Sequence, residues 1–141
     1  MTVRINTHGN PVPKQYGNGD WIDLSAADDC VILPGEYKEI SLGISMELPE
    51  ETFAMVVPRS STYKKYHIIL VNSIGIIDQA HKGDNDIWRF PALKVSGEPT
   101  YISKGDRIAQ FKVFDKGENI SFNSVESLDN EDRGGIGSTG K

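Results

Sequence analysis

The chain has 141 residues, which suits a single domain that buries about 70% of the surface its unfolded form would expose. Fifteen Lys and Arg against 20 Asp and Glu give a net charge of −5, and no long basic run occurs, so a nucleic-acid partner is not expected. A single cysteine, Cys30, excludes an intramolecular disulfide and a thiolate metal cluster. The first residues lack the apolar core of a signal peptide, and no apolar run approaches the roughly 20 residues that span a bilayer. We therefore expect a cytoplasmic protein without a membrane partner.

Short β-prone segments alternate with turn residues along the chain. Fourteen glycines and seven prolines interrupt the sequence, and the runs between them are rich in Val, Ile, Tyr, Phe and Thr. This pattern predicts strands at 3–6, 31–33, 37–41, 44–47, 52–57, 68–71, 87–90, 92–95, 106–114 and 120–122. No stretch carries a long helical period, so we predict an all-β sandwich, jelly roll or distorted barrel whose function lies in its loops.

An acidic residue, Asp23, lies between Ile22 and Leu24 in the first polar segment. Taken alone, this pattern is typical of a capped turn packed by Trp21.

An anion-binding pattern follows the apolar segment 52–57. The segment ends at Pro58 and is followed at once by Arg59, Ser60 and Ser61. A guanidinium group offers a fork of donors, and hydroxyl and backbone N–H groups add others, which is how proteins usually hold phosphate. The same residues are also typical of an exposed polar loop, so the pattern alone leaves both interpretations open.

The segment 72–84, NSIGIIDQAHKGD, delivers one acidic side chain, Asp78, to a turn. Three isoleucines precede it, and Gly75 and Gly83 on either side let the backbone bend sharply or approach a ligand closely. A carboxylate set against isoleucines is partly desolvated, which raises its basicity and suits it to accept a proton from water. Asp beside glycine is also ordinary turn chemistry, and that alternative stays open.

The segment 104–111 runs from a Lys-Gly-Asp turn into a predicted strand. Side-chain alternation places the Gln110 amide on the face of Ile108 and opposite Phe111. An amide among apolar neighbours needs a hydrogen-bond partner, which is either a ligand or the protein's own backbone.

The C-terminal segment 127–141 is predicted to be a flexible arm on a domain formed by residues 1–126. Four glycines lie within positions 134–140, so a packed helix or strand is not expected. Arg133 and the hydroxyl and N–H groups after it are typical of segments that wrap phosphates, which favours a lid that orders on a ligand. Ordinary terminal disorder is the alternative.

Five segments resemble, in order, the five motifs of the trimeric dUTPase family. They are 23–24, 58–61, 72–83, 105–110 and 133–140, and together they extend over nearly the whole chain. The central Gly-x-Ile-Asp and the terminal Gly-Ser-Thr-Gly are the most specific. The resemblance implies an all-β, jelly-roll-like distorted barrel and a homotrimer with three active sites at subunit interfaces. It also implies hydrolysis of dUTP to dUMP and pyrophosphate with Mg²⁺.

The resemblance also implies roles for individual residues. Asp78 is the base that activates the water attacking the α-phosphorus, and Asp23 acts near Mg²⁺ through water. Phosphate contacts are assigned to Arg59, Ser60, Ser61 and Gln110, and uracil contacts to Asn72 and the backbone at Ile76 and Ile77. The deoxyribose contact is assigned to His81, and closure over the nucleotide to Arg133, Ile136, Gly137, Ser138 and Thr139.

The chain departs from the family pattern at several positions. Asp-Trp-Ile at 20–22 stands where the family usually has Ala-Gly-Tyr, and Ser61 stands where it has Gly. His81 replaces a Tyr that lies under the deoxyribose, and Ile136 replaces a Phe that covers the uracil. The arm is also slightly shorter before Ile136 than is common. These departures concern specificity and reach, and none removes a reacting group.

Two aromatic residues, Trp88 and Phe90, follow the central turn at a spacing that places them on one face of a strand. Core packing is the favoured interpretation. The alternative is that one of them covers the uracil in place of the missing phenylalanine.

Two other functions stay open at this point. A dCTP deaminase of related fold does its chemistry on the base and needs a different acid at the pocket, which Gly-x-Ile-Asp disfavours. A jelly-roll protein that binds a nucleotide or regulates a partner without hydrolysis is the other alternative. Release of pyrophosphate, of ammonia or of neither separates the three.

Overall fold

The computed structural model describes residues 1–135 and 137 of the chain. Nearly all of its regular structure is β, which confirms the predicted fold class. The strands are β1 (Arg4–Asn6), β2 (Ile22–Ser25), β3 (Cys30–Ile32), β4 (Tyr37–Ser41), β5 (Ser45–Glu47), β6 (Thr52–Pro58), β7 (Ile68–Leu70), β8 (Gly75–Ile77), β9 (Arg89–Lys94), β10 (Thr100–Ile102) and β11 (Arg107–Asp115). One short helix, α1 (Thr62–Tyr66), follows β6. Within these residues no helix is long and apolar enough to cross a membrane.

Four of the five motif segments overlap a four-stranded antiparallel sheet in the order β2-β11-β6-β8. Its centre is the long β11–β6 ladder, which runs in register from Ala109 opposite Pro58 to Asp115 opposite Thr52. A three-stranded sheet in the order β4-β9-β7 and the two-stranded pairs β1–β5 and β10–β3 complete the described fold.

The hydrophobic core takes side chains from all of these sheets. Trp88 is 1% exposed and Phe90 is fully buried, and the Trp88 ring meets Phe111 edge-on at a centroid distance of 5.2 Å. The Trp88 backbone is tied to the neighbouring segment, since its N–H donates to Ile44 O at 2.8 Å and its carbonyl accepts the Leu42 N–H at 2.9 Å. The idea that one of these aromatics covers the uracil is therefore wrong, because both belong to the core of their own chain.

The two strands predicted at 87–90 and 92–95 are one strand in the structure, β9 (Arg89–Lys94), which continues through Pro91. The Pro91 carbonyl accepts the Val71 N–H at 2.9 Å, just beyond the end of β7 at Leu70. The position at which Pro91 lacks an N–H faces the same way, beyond the end of β7, so no carbonyl within β7 loses a hydrogen-bond donor.

The predicted strand at 120–122 is absent. Ile120 is 79% exposed and Phe122 is 93% exposed, and residues 116–135 contain no strand or helix. Apolar β-prone residues make a strand only where a neighbouring strand accepts their backbone groups, and no strand among the described residues pairs with this segment. The division at residue 126 stays a prediction, since β11, the last strand described, ends at Asp115.

Candidate active site

The turn after β6 is fastened to β11 by a buried threonine. Thr62 is fully buried, and its hydroxyl donates to Ile108 O at 2.8 Å while accepting the Arg59 N–H at 2.9 Å. This double contact fixes the backbone of Arg59 at the end of the sheet. Arg59, Ser60 and Ser61 therefore leave β6 from a rigid base rather than from a loose loop.

A compact cluster of charged groups surrounds Asp23, which lies inside β2 rather than in the capped turn of which its sequence pattern alone is typical. The Asp23 carboxylate is only 11% exposed, and its Oδ2 lies 3.0 Å from Arg107 Nη1 and 3.3 Å from Arg59 Nε. Arg59 Nη1 also donates to Arg107 O at 3.2 Å and to Ser61 Oγ at 3.4 Å. Of the predicted anion-binding residues, Arg59 contacts this carboxylate directly and Ser61 contacts Arg59.

Arg107 is a member of this cluster that the sequence pattern did not single out. Its guanidinium carbon lies 4.2 Å from the centroid of the Tyr16 ring, a cation–π contact. The location of Arg107 inside the motif segment 105–110 is the sequence signal that could have identified it as a site residue. No sequence signal indicated Tyr16.

Gln110 finds the backbone partner that its predicted position required. Its Nε2 donates to Pro58 O at 3.1 Å, so the amide joins the end of β6 to β11. The simple alternation predicted for this strand places Gln110 opposite Phe111 correctly but fails at Ile108, because a bulge in the pairing with β2, between Arg107 and Ala109, leaves Ile108 and Ala109 both buried.

Asp78 follows the short edge strand β8 and begins a tight turn. Its Oδ1 accepts the Ala80 N–H at 3.0 Å, and its carbonyl accepts the His81 N–H at 3.3 Å. The expectation that isoleucines desolvate Asp78 is not met in the single chain. Asp78 is exposed, and Ile74 and Ile76 are 44% and 57% exposed, because β8 is a three-residue strand at the sheet edge.

Asn72 lies in the sharply bent connection before β8. Ser73 has a φ of +62°, and the Ile74 N–H donates to Asn72 O at 2.6 Å. Gly75 then packs against Val56, since a Cβ at this glycine would lie 3.4 Å from Val56 Cβ. Because β8 is the edge strand of its sheet, its outer edge, with the backbone of Ile76 and Ile77, is available to a flat ligand.

The structure does not bring Asp78 together, within one chain, with the cluster formed by Asp23, Arg59 and Arg107, called here the Arg59 cluster. Ile77, the residue before Asp78, is paired with Ala54, whereas Arg59 follows the opposite end of β6. From Ala54 to Arg59 the strand advances five residues, roughly 17 Å at strand spacing. The two groups of predicted site residues are therefore at opposite ends of β6.

The arm is described only in part. Arg133 and Gly137 lie among the described residues, and Arg133 is exposed. Ile136, Ser138 and Thr139 lie outside the described residues, so their predicted roles stay predictions.

Three described side chains, none of them a proposed reacting group, have raised pKa values: Cys30, Tyr37 and Tyr66. Burial raises the pKa of the Tyr66 hydroxyl, the Asp106 carboxylate that accepts its hydrogen bond raises it further, and Arg59 opposes both. Burial also raises the pKa of the Cys30 thiol, so this cysteine is not an activated nucleophile.

The described residues contain no group of three or more His, Cys, Asp or Glu that could hold a metal ion alone. Asp23 is the carboxylate of the Arg59 cluster, and its Oδ2 is already engaged by two guanidinium groups. This donor set fits Mg²⁺ only as an ion carried by substrate phosphates, with Asp23 reached through water.

The chain matches the protein-family model described as dUTPase over residues 14–140. It is 53% identical over 122 residues to the SPbeta prophage-derived deoxyuridine 5′-triphosphate nucleotidohydrolase YosS of Bacillus subtilis (strain 168), which covers 86% of this chain and 84% of that protein. The deoxyuridine 5′-triphosphate nucleotidohydrolase of Finegoldia magna is 40% identical over 146 residues, with 99% of each chain covered. The solved structure of Staphylococcus bacteriophage 80alpha dUTPase superposes with a TM-score of 0.83 at 18% identity over 99% of each chain, which confirms the jelly-roll-like fold.

Proposed function

The chain belongs to the dUTPase family, and from that premise we propose that it hydrolyses dUTP to dUMP and pyrophosphate. The observation that carries the proposal is that one sheet holds two groups of motif residues, one at Asp78 and one around Arg59. The turn that follows β8 presents the Asp78 carboxylate, and a cluster of guanidinium, hydroxyl and amide groups lies where β6 ends. The first suits the activation of water, and the second suits a triphosphate.

Asp78 acts in this proposal as the general base. Because its Oδ1 is held by the Ala80 N–H, Oδ2 is the oxygen presented to the attacking water. The water oxygen forms a bond to the α-phosphorus while its proton passes to Asp78, and the bond from that phosphorus to the bridging oxygen of the β-phosphate breaks. The electron pair of the broken bond leaves with pyrophosphate, and Asp78 later returns the proton to solvent.

The remaining predicted residues bind and orient the nucleotide. Arg59, Ser60, Ser61 and Gln110 hold the phosphates, with Arg59 kept in place by Asp23. Asn72 and the backbone at Ile76 and Ile77 read the uracil edge, and His81 lies under the deoxyribose. Arg133, Ile136, Gly137, Ser138 and Thr139 close over the bound nucleotide.

When Mg²⁺ is bound, it offsets the charge of the triphosphate. Asp23 would orient a water of that ion through Oδ1, because Oδ2 is held by Arg59 and Arg107.

The separation of the two motif groups supports a homotrimer with active sites at the subunit interfaces. A base about 17 Å from the phosphate cluster is too far away to act on a phosphate held there, which supports a second copy that supplies one of the groups. Exposed apolar residues lie where such contacts would form. They include Ile69, Val71, Ile74 and Ile76 around β7 and β8, and Ile120, Phe122 and Leu128 after β11. The cytoplasmic location and the absence of a nucleic-acid partner stay predictions.

Incubation with Mg²⁺ and dUTP, dCTP, dTTP or UTP tests the proposal. We expect pyrophosphate and dUMP from dUTP, with much slower turnover of the other three nucleotides. Ammonia from dCTP would identify a deaminase. Binding of dUTP without pyrophosphate release would favour a regulatory binding protein.

A further inference from the structure

The turn that begins at Asp78 continues into a second turn, and Asp86 connects the two. Asp86 Oδ2 accepts the Gly83 N–H at 2.8 Å, and the Asp86 N–H donates to Gly83 O at 3.0 Å. The other carboxylate oxygen, Oδ1, lies 4.0 Å from Nδ1 of His81. One carboxylate therefore closes the 83–86 turn and also faces the imidazole.

Gly83 permits this close approach. A Cβ at Gly83 would lie 2.9 Å from Asp86 Oδ2, a distance at which one of the two groups must move. The glycine and the carboxylate thus fit together as one turn, and the carboxylate is not simply an exposed side chain on a loop.

The loop that carries His81 and Asp86 is fixed from its other side by the antiparallel pair β1–β5. Asn6 Nδ2 donates to Asp84 Oδ1 at 2.9 Å, and Ser45 Oγ donates to Asp84 O at 3.1 Å. Beyond the loop, the chain enters the core at Trp88. A carboxylate on a loop held at both ends can orient a neighbouring ring at a small cost in conformational entropy.

We propose that Asp86 is a positioning residue for sugar specificity, acting through His81. Its carboxylate favours the proton on Nδ1 and holds the imidazole plane beneath the deoxyribose, where the ring helps to exclude a ribose 2′-hydroxyl. This inference rests on the proposed function, in which His81 lies under the sugar.

The physical reason lies in the size of the ring. An imidazole covers less of a sugar than a phenol does, so its orientation decides how closely it packs. At 4.0 Å the contact exceeds a direct hydrogen bond and is an attraction between the carboxylate charge and the polar N–H. With the proton on Nδ1, the neutral ring has no proton on Nε2.

The kinetic test compares kcat/KM for dUTP and UTP in the full-length protein and in Asp86→Asn. Asparagine keeps an oxygen to accept the Gly83 N–H but removes the charge that faces His81. We expect the dUTP-over-UTP ratio to fall about two- to fivefold, the range of a half-exposed charge contact, mainly through KM.

Asp84→Asn is the matched control, because it removes a charge from the same loop while keeping an oxygen for Asn6. The ratio should stay at the wild-type value in this variant. Adding Asp86→Asn to His81→Ala should lower the ratio no further. The inference is overturned if Asp86→Asn leaves the ratio unchanged, or if Asp86→Asn lowers the ratio as much in the His81→Ala protein as in the wild type. In either case, dUTP hydrolysis by the wild type would still support the proposed function.

A second measurement does not depend on catalysis. Long-range ¹H–¹⁵N spectra at a pH where the ring is neutral, assigned with His81→Ala, report which nitrogen of His81 carries the proton. We expect mainly the Nδ1–H form in the wild type and more of the Nε2–H form in Asp86→Asn. Equal populations in the two proteins overturn the inference even if the protein proves not to hydrolyse dUTP.

Discussion

Replacing Asp23 tests whether this carboxylate acts mainly by holding two arginines. In Asp23→Ala, Arg59 and Arg107 lose their common partner and two positive groups are left facing each other. A hydrogen bond between charged groups contributes about 1.5–3 kcal/mol where both are buried. The Arg107 side chain is 37% exposed and the Arg59 side chain is 21% exposed. Solvent screening therefore lowers the free energy that each contact with Asp23 contributes to stability. We expect a loss of about 2 kcal/mol in the free energy of unfolding.

The same change should reduce catalysis, because Arg59 is then free to leave the phosphate site. A loss of about 1.4 kcal/mol in binding the transition state corresponds to a tenfold fall in kcat/KM. Urea unfolding measures the stability, and steady-state hydrolysis of dUTP measures the activity. Asp20→Ala is a suitable control, because it removes an exposed carboxylate three residues earlier in the chain.

Titration with Mg²⁺ separates the two roles of Asp23. If Asp23 acts mainly by holding the two arginines, saturating Mg²⁺ should leave most of the loss of kcat/KM in Asp23→Ala in place. The reasoning is refuted if Mg²⁺ restores full activity, or if Asp23→Ala unfolds within about 0.5 kcal/mol of the wild type, the range of an ordinary surface substitution.

Three further results are expected. Asp78→Asn should lower kcat by about 10²- to 10⁴-fold with nucleotide affinity nearly unchanged, and near-normal turnover in a rapid pyrophosphate assay would remove Asp78 from the mechanism. Deletion of residues 133–141 should sharply reduce turnover without changing the thermal midpoint, and loss of the oligomer on a sizing column would instead make the arm structural. The raised pKa of Tyr66 means that its contribution to stability is complete below pH 10, the ordinary tyrosine value, and is lost as pH rises through the folded-state pKa. Denaturant unfolding above pH 10 should therefore show a shallower fall of stability with pH in Tyr66→Phe than in the wild type, and equal slopes would contradict the assignment.

The long central strands and the residues at their ends were predictable from the sequence. β6 and β11 have continuous β-prone runs, and the change from Val57 to Pro58 and Arg59 marks where a strand ends and a polar group begins. Apolar pattern and turn chemistry are local signals, and these features are local.

The features that the sequence did not reveal depend on contacts between distant segments. The sequence pattern did not predict β2, β8 and β10, which pair with β11, β6 and β3, strands that lie well away from them along the chain. The contact of Arg107 with Asp23 joins residues 84 positions apart. The exposure of Asp78 follows from the place of β8 at a sheet edge, which depends on strand order and not on the residues around the aspartate.

The distance between Asp78 and Arg59 has a genetic consequence. If each active site takes its base from one subunit and its phosphate cluster from another, Asp78→Asn and Arg59→Ala damage different halves of the site. Subunits of the two inactive proteins, unfolded and reassembled together, would form some sites in which both halves are intact. With random assortment of equal amounts, about one quarter of the sites would be complete. Two alleles that are each inactive alone would then complement one another in one cell, and a single defective allele would reduce activity without abolishing it.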